Sequence, residues 1–181
     1  MPVTEATYEQ LALEDPEGQW ELVCGRPRRK PAMTQEHNRV ARGLVCQLQR
    51  QLAIDDFEVG SNCGRVRAGD QYFIPDVMVI PTSLFKPWGE GRGELEAYTE
   101  PLPLVVEVWS PSTGDYDVEA KIPEYLRRGD LEVWRIHPYD RVLTAWRRRP
   151  DGGYDERTYT GGDVPVESLP GVVIRLESLY R

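Results

Sequence analysis

Two apolar runs in this chain each carry one acid where a core strand should have none. The first reads Phe73-Ile74-Pro75-Asp76-Val77-Met78-Val79-Ile80, the second Leu104-Val105-Val106-Glu107-Val108-Trp109. Runs of this length, rich in valine and isoleucine, read as strands covered on both faces. A carboxylate buried there is costly unless something pairs with it. Two such runs suggest a shared partner. A divalent cation is the natural candidate, because it prefers hard oxygen ligands and two carboxylates satisfy part of its shell. Without it, two carboxylates about 4 Å apart repel by about 4 kcal/mol at an effective dielectric of about 20. A shared proton or a nearby cation must then offset the repulsion. The residues alone leave two readings open, a metal site and a buried ion pair. Removing an acid from a metal site leaves the fold intact or stabilised. Removing one member of a buried ion pair costs about 3–5 kcal/mol.

The chain has only three lysines, Lys30, Lys86 and Lys121, while arginine is used freely. A lysine kept among arginines points to a use for its compact, tunable ammonium. Lys121 follows Glu107 at a distance that lets a helix fold back over the strand end.

With 181 residues, one domain spanning 1–181 is expected. No run of about 18 apolar residues exists, so no membrane span is expected. The start, Met1-Pro2-Val3-Thr4-Glu5, lacks the basic and apolar regions of a secretory signal. Cys24, Cys46 and Cys63 are odd in number and widely spaced, which argues against a disulfide framework and for a reducing cytoplasm. The net charge of −8 weighs against a protein that coats nucleic acid over its whole surface. A local basic groove is still compatible with it. Arg26-Pro27-Arg28-Arg29-Lys30 and Arg147-Arg148-Arg149 are candidate pieces, or simply a solvated turn and strand end.

Along the chain, Thr4 caps a helix running to about Asp15, and Pro16-Glu17-Gly18 stops it. Gln19 to Cys24 and Pro27 to Met33 form a hairpin, with Glu21 inside it as a cross-strand salt bridge or a site residue. Thr34 caps a helix to about Ala53 with Val40, Leu44, Val45, Leu48 and Leu52 on one stripe. His37 falls in its first turn, as a capping or surface residue or as a catalyst. Lys86 to Thr99 reads as a surface loop or flap. A helix from Thr113 or Asp115 ends at Gly129, and Pro123 predicts a bend between Lys121 and Tyr125. Strands follow at Glu132–Ile136, Val142–Arg148 and Tyr154–Tyr159.

Taken together, Pro75-Asp76, Glu107-Val108-Trp109 and a helical Lys121 resemble the PD-(D/E)XK nuclease superfamily. The closer resemblance is to its Uma-type branch of restriction-endonuclease-like proteins. That branch has an aromatic-Glu-Leu-x-x-Gly hairpin, here Trp20-Glu21-Leu22-Val23-Cys24-Gly25. It has a histidine at a helix start, here Glu36-His37-Asn38. It has Val-Glu-Val-x-Ser-Pro-Ser-Thr, here Val106 to Thr113, and Asp-x-x-x-Lys-x-x-x-Tyr, here Asp117, Lys121 and Tyr125. The usual superfamily lysine lies two residues after the glutamate, where this chain has Trp109. In the Uma-type branch it is moved to the next helix, which matches Lys121.

The resemblance implies an α/β fold with a mixed central sheet flanked by helices, preceded by an N-terminal helix and hairpin. It implies Mg²⁺ or Mn²⁺ held by Asp76 and Glu107, with the Val108 carbonyl and Glu21 as further ligands. Lys121 would orient water or stabilise developing charge, and His37 would contact phosphate or assist proton transfer. The expected substrate is DNA, the expected assembly a homodimer with no organic cofactor. The alternative is a non-catalytic nucleic-acid-binding or assembly module that keeps the nuclease fold.

Overall fold

The computed structural model describes residues 2–181, apart from the side chain of Val118. Met1, where the N-terminal stretch read above begins, lies outside them. Helix α1, Glu5–Glu14, starts where Thr4 Oγ1 accepts the Thr7 N–H at 3.2 Å. It lays Tyr8 and Ala12 on Leu22 and Tyr72. Strands β1, Trp20–Val23, and β2, Arg26–Arg29, pair as a hairpin. Its turn residues, Cys24 and Gly25, have φ of 49° and 72°, the left-handed pair that a tight hairpin needs. Helix α2, Gln35–Gln49, buries Val40, Ala41, Leu44 and Leu48 along one stripe. It stops short of Ala53 because the ladder tightens at its end, where the Gln51 N–H bonds the Leu48 carbonyl.

The next strands are β3, Phe57–Gly60; β4, Arg65–Ala68; β5, Gln71–Phe73; β6, Val77–Pro81; β7, Ala97–Tyr98; and β8, Leu104–Val108. Helix α3, Ile122–Arg128, follows. Then come β9, Glu132–His137; β10, Val142–Arg148; β11, Tyr154–Tyr159; β12, Asp163–Pro165; and β13, Val173–Arg175. The larger sheet has the order β11-β10-β9-β8-β6-β3 and is mixed, since β8 and β9 run parallel while its other pairs are antiparallel. A smaller sheet has the order β2-β1-β5-β4-β7.

Alternation along the strands sends side chains to opposite faces of the larger sheet. Val77, Val79, Leu104, Val106 and Val108 face α2 and the C-terminal Leu176 and Leu179. Met78, Ile80, Val105 and Val133 face Phe73 and Val66 of the smaller sheet and Ile122 and Tyr125 of α3. Among the described residues, no helix is long and apolar enough to cross a membrane.

Two expectations are corrected here. Phe73 to Ile80 is not one strand: β5 ends at Phe73, β6 begins at Val77, and residues 74–76 cross from one sheet to the other. Pro75 is the reason, since it has no N–H for a ladder and holds Ile74 extended. The Pro123 bend is also resolved differently. Asp117–Lys121 forms a π-helical turn, closed by the Ile122 N–H on the Asp117 carbonyl, and α3 restarts at Ile122. Pro123 thus falls in the first turn of a new helix, where its missing N–H costs nothing. Gly129 ends α3 in the left-handed conformation, φ 86°, as the sequence predicts.

Candidate active site

The seam between the two sheets carries the charged residues. Asp76 stands one step before Val77, and Glu107 one step after Val106; since Val77 pairs with Val106, the register sets the two acids side by side. Alternation puts Asp76 on the face of Met78 and Ile80, and Glu107 on the face of Val105. Both look toward the smaller sheet and α3. From that side come Glu21 on β1 and Lys121 at the end of the π-helical turn.

Lys121 Nζ lies 2.9 Å from Glu21 Oε1, 3.3 Å from each Glu107 oxygen and 4.0 Å from Asp117 Oδ1. Tyr125, one helical turn on, donates its hydroxyl to Glu107 Oε1 at 2.6 Å. Lys30, directly after β2, reaches Asp76 Oδ1 at 2.7 Å. Asp76 Oδ2 faces His37 Nε2 at 2.9 Å and accepts the Val108 N–H at 2.7 Å. The hub is the Ile74 peptide: its carbonyl accepts Lys30 at 2.8 Å and Lys121 at 3.5 Å, and its N–H donates to Glu21 at 2.9 Å. Breaking the ladder at Pro75 frees that peptide for the cluster.

Every member is buried. Glu21, Asp76, Glu107 and Asp117 are each 1% exposed, Lys121 2% and His37 0%. Burial opposes ionisation of Asp76, yet the Lys30 ammonium and His37 outweigh it and hold the carboxyl far below the usual carboxylate range. Glu107 goes the other way: burial dominates, Asp76 and Asp117 add to it, and its pKa is raised well above the usual value despite Lys121. Burial also raises Asp117. Burial opposes the charge on Lys121, but Glu107 and Glu21 outweigh it and keep the amine protonated. With every acid ionised, four carboxylates face two ammonium groups and one imidazole. The excess negative charge calls for protons or a cation.

The donor chemistry fits a divalent cation. Carboxylate oxygens converge under a negative excess, and the buried Asp117 Oδ1 takes no hydrogen bond. The packing is not a preassembled cage, however. Among the described residues, no three His, Cys, Asp or Glu side chains already stand close enough together to hold an ion. Ammonium groups stand between the acids instead.

All five residues singled out from the sequence therefore meet: Glu21, His37, Asp76, Glu107 and Lys121. Glu21 does not form the cross-strand bridge. Arg28 stands opposite it in the register, but Glu21 turns inward to Lys121, and Arg28 lies over the Tyr116 ring at 3.6 Å. His37 is capped in place by Thr34, whose Oγ1 accepts the His37 N–H at 3.3 Å. Its buried ring faces Asp76 Oδ2, with Nε2 at 2.9 Å. Thr34→Ala should cost about 1 kcal/mol in urea unfolding by loss of the cap. Val108 enters through its N–H. Trp109 turns sideways and stacks on His137 at 4.3 Å, leaving Glu107 to the helical lysine.

The sequence marks Lys30 as one of three lysines and part of a basic stretch, and Tyr125 as a motif residue, and assigns neither a role in the site. The rarity of lysine is the signal for Lys30: two of the three lysines meet on the Ile74 carbonyl oxygen. Arg147 and Arg149 do not line a groove. Arg147 pairs with Glu132 and Glu167, and Arg149 with Asp151 and Asp155. Glu132 is a useful contrast. It is a fully buried strand acid too, but Arg147, the Trp134 indole and the Ser168 N–H satisfy it, and the other acid on Arg147, Glu167, is exposed.

A pocket of about 390 Å³ opens beside the cluster, lined by Val23, Cys24, Arg26, Arg28 and Tyr116. Tyr116 separates it from Lys121, whose Nζ is 5.9 Å from the ring centre.

Comparison with known proteins agrees with this architecture. A crystal structure described as a putative nuclease from Anabaena variabilis superposes with a TM-score of 0.79 at 20% identity, covering 99% of this chain and 98% of that one. At that identity the likeness concerns the fold. No curated protein matches. The family model described as "Uma2: Putative restriction endonuclease" matches residues 6–177. Nearly the whole chain is within that match, and the protein belongs to the Uma2 family.

Proposed function

We propose that this protein is a metal-dependent nuclease that hydrolyses phosphodiester bonds in DNA at the Asp76–Glu107–Lys121 cluster. One observation carries the reading: four carboxylates crowd around two lysines at a break between two sheets, an arrangement that stability alone does not favour. Membership of a family described as restriction endonucleases supports it. Asp76 Oδ1 and Glu107, with Glu21 beside them, would hold Mg²⁺ or Mn²⁺. The cation supplies Lewis-acid stabilisation of phosphate charge and lowers the pKa of water.

This chain's own residues do the rest. Lys121 sets a positive charge beside Glu107 and Glu21, where it orients an attacking water or stabilises the developing phosphorane charge. Tyr125 fixes one Glu107 oxygen by donating to it. His37 and the Val108 N–H fix Asp76 Oδ2, so Oδ1 is the oxygen available to a ligand. Arg26 and Arg28 border the adjoining pocket and supply charge for the DNA backbone. Arg28→Ala should weaken DNA binding at all sequences and flatten the logarithmic salt dependence by about one unit, which titrations at several salt concentrations would read.

The assay is incubation of plasmid and linear DNA with Mn²⁺ or EDTA. Cleavage by the parent with Mn²⁺, lost in Glu107→Gln with unchanged circular dichroism, supports the reading. Equal cleavage by both removes it. The near-complete burial of the cluster favours a second reading, a nucleic-acid-binding module held together by a charged core. That module would bind DNA and leave it intact with either additive.

A further inference from the structure

We propose that Lys30 is an internal stand-in for the metal: its ammonium occupies Asp76 Oδ1 in the ion-free protein and must leave before a divalent cation binds. The inference rests on the metal-site reading above and assigns its control to a residue outside the acid–lysine motif.

The argument begins with Asp76. Its Oδ2 is committed to His37 and to the Val108 N–H, at 2.9 and 2.7 Å. Only Oδ1 is left for an incoming ion, and there Lys30 Nζ sits at 2.7 Å. Both side chains are 2% exposed, so no solvent separates the charges. An ammonium and a divalent cation cannot share that oxygen at close range, because their charges repel and a buried site screens the repulsion little. Binding of one therefore excludes the other.

The two lysines are held differently. Lys121 is gripped by Glu21 and Glu107, with Asp117 behind. Lys30 has one carboxylate and one carbonyl. It also follows β2, the edge strand of the smaller sheet, whose outer side has no neighbouring strand. The stem can swing with the edge of the hairpin, whereas Lys121 stays with its helix. Residue choice fits as well. Arg28 and Arg29 precede Lys30, and Arg29 pairs with Asp15 at the surface. The change to lysine falls at the one inward position of that basic stretch. A guanidinium there would grip the carboxylate in a fork and release it less readily.

The exchange also limits the electrostatic cost of an ion-free site. Without Lys30, Asp76 would stand beside Glu107 with no cation of its own. With it, the protein is stable before metal arrives, and metal affinity is lowered by the fraction of time that Lys30 is away.

The test measures Mn²⁺ binding by calorimetry, and lysine accessibility by reductive methylation with mass spectrometry. Lys30→Met should bind Mn²⁺ at least about tenfold more tightly than the parent, corresponding to Lys30 being off Asp76 less than about a tenth of the time. In the unmodified parent, Lys86 should label at once and Lys30 should label only when Mg²⁺ is present. Equal Mn²⁺ affinity in parent and variant overturns the stand-in role and leaves the metal site in place. If Lys30→Met does not fold, the parent decides. Lys30 that stays protected at Mg²⁺ concentrations that saturate the protein also overturns the role. Absence of metal binding to parent and variant alike overturns the metal reading, and this inference with it.

Discussion

Asp76→Ala is expected to destabilise the metal-free protein by about 3–5 kcal/mol and to abolish Mn²⁺-dependent cleavage. Three groups converge on that carboxylate: the Lys30 ammonium as an ion pair at 2.7 Å, His37 Nε2 at 2.9 Å and the donating Val108 N–H. Alanine leaves a buried ammonium with only the Ile74 carbonyl and strands a backbone N–H, each a recognised source of large losses. Urea unfolding in EDTA would measure the loss. This reverses the expectation from the sequence that removing an acid from a metal site leaves the fold intact or stabilised, because in the ion-free protein the ammonium groups of Lys30 and Lys121 already offset the repulsion between the two acids. The pH dependence follows from the same contacts. Asp76 has a lowered pKa in the folded protein, so the stability it contributes is present above its ordinary value of 3.8 and is lost as pH falls below it toward the folded pKa. Asp76→Ala should be less sensitive than the parent to acid in that range.

Lys121→Met carries the second large effect, about 3–5 kcal/mol, with an opposite dependence on pH. Its removal leaves Glu21 and Glu107 facing each other without the ammonium that separates them. Glu107 already has a raised pKa with Lys121 present. Without it Glu107 gains a proton still more readily in the folded state than in the unfolded chain. Stability is then fully retained below the ordinary glutamate value of about 4.3 and falls as pH rises from there to the raised folded pKa. Denaturation midpoints between pH 4 and pH 8 should drop for Lys121→Met more than for the parent. A variant that tracks the parent across that range would show that Lys121 does not hold the two acids together.

Much of this cluster can be read from the residues. Asp76 and Glu107 announce themselves as lone acids in apolar runs, and the helical spacing of Asp117, Lys121 and Tyr125 sets three partners on one face. Burial of an acid in a strand is not sufficient by itself, as Glu132 shows by pairing with Arg147. The fold expectation of a mixed sheet flanked by helices also holds, because β6 and β8 are continuous apolar runs buried on both faces and α2 has a clear apolar stripe.

What escaped the sequence depends on contacts between distant segments. The break at Pro75 can be suspected from the residue alone, but the second sheet that receives β5 cannot. Lys30 looks like one more member of a basic surface stretch until the edge of the hairpin is seen to fold over Ile74. Arg147 looks solvated until β10 is paired with β9 and brings it against Glu132. The π-helical turn just ahead of Pro123 is likewise hidden, since no residue pattern separates it from an ordinary helical turn.

The central claim is that the acids of this seam bind a divalent cation for phosphodiester hydrolysis. Its most direct test is an anomalous-scattering map from crystals soaked in Mn²⁺. The account predicts a peak in contact with Asp76 Oδ1 and Glu107, with Lys30 withdrawn from its place. A fully soaked crystal with no peak there, and with Lys30 still on Asp76, would contradict it.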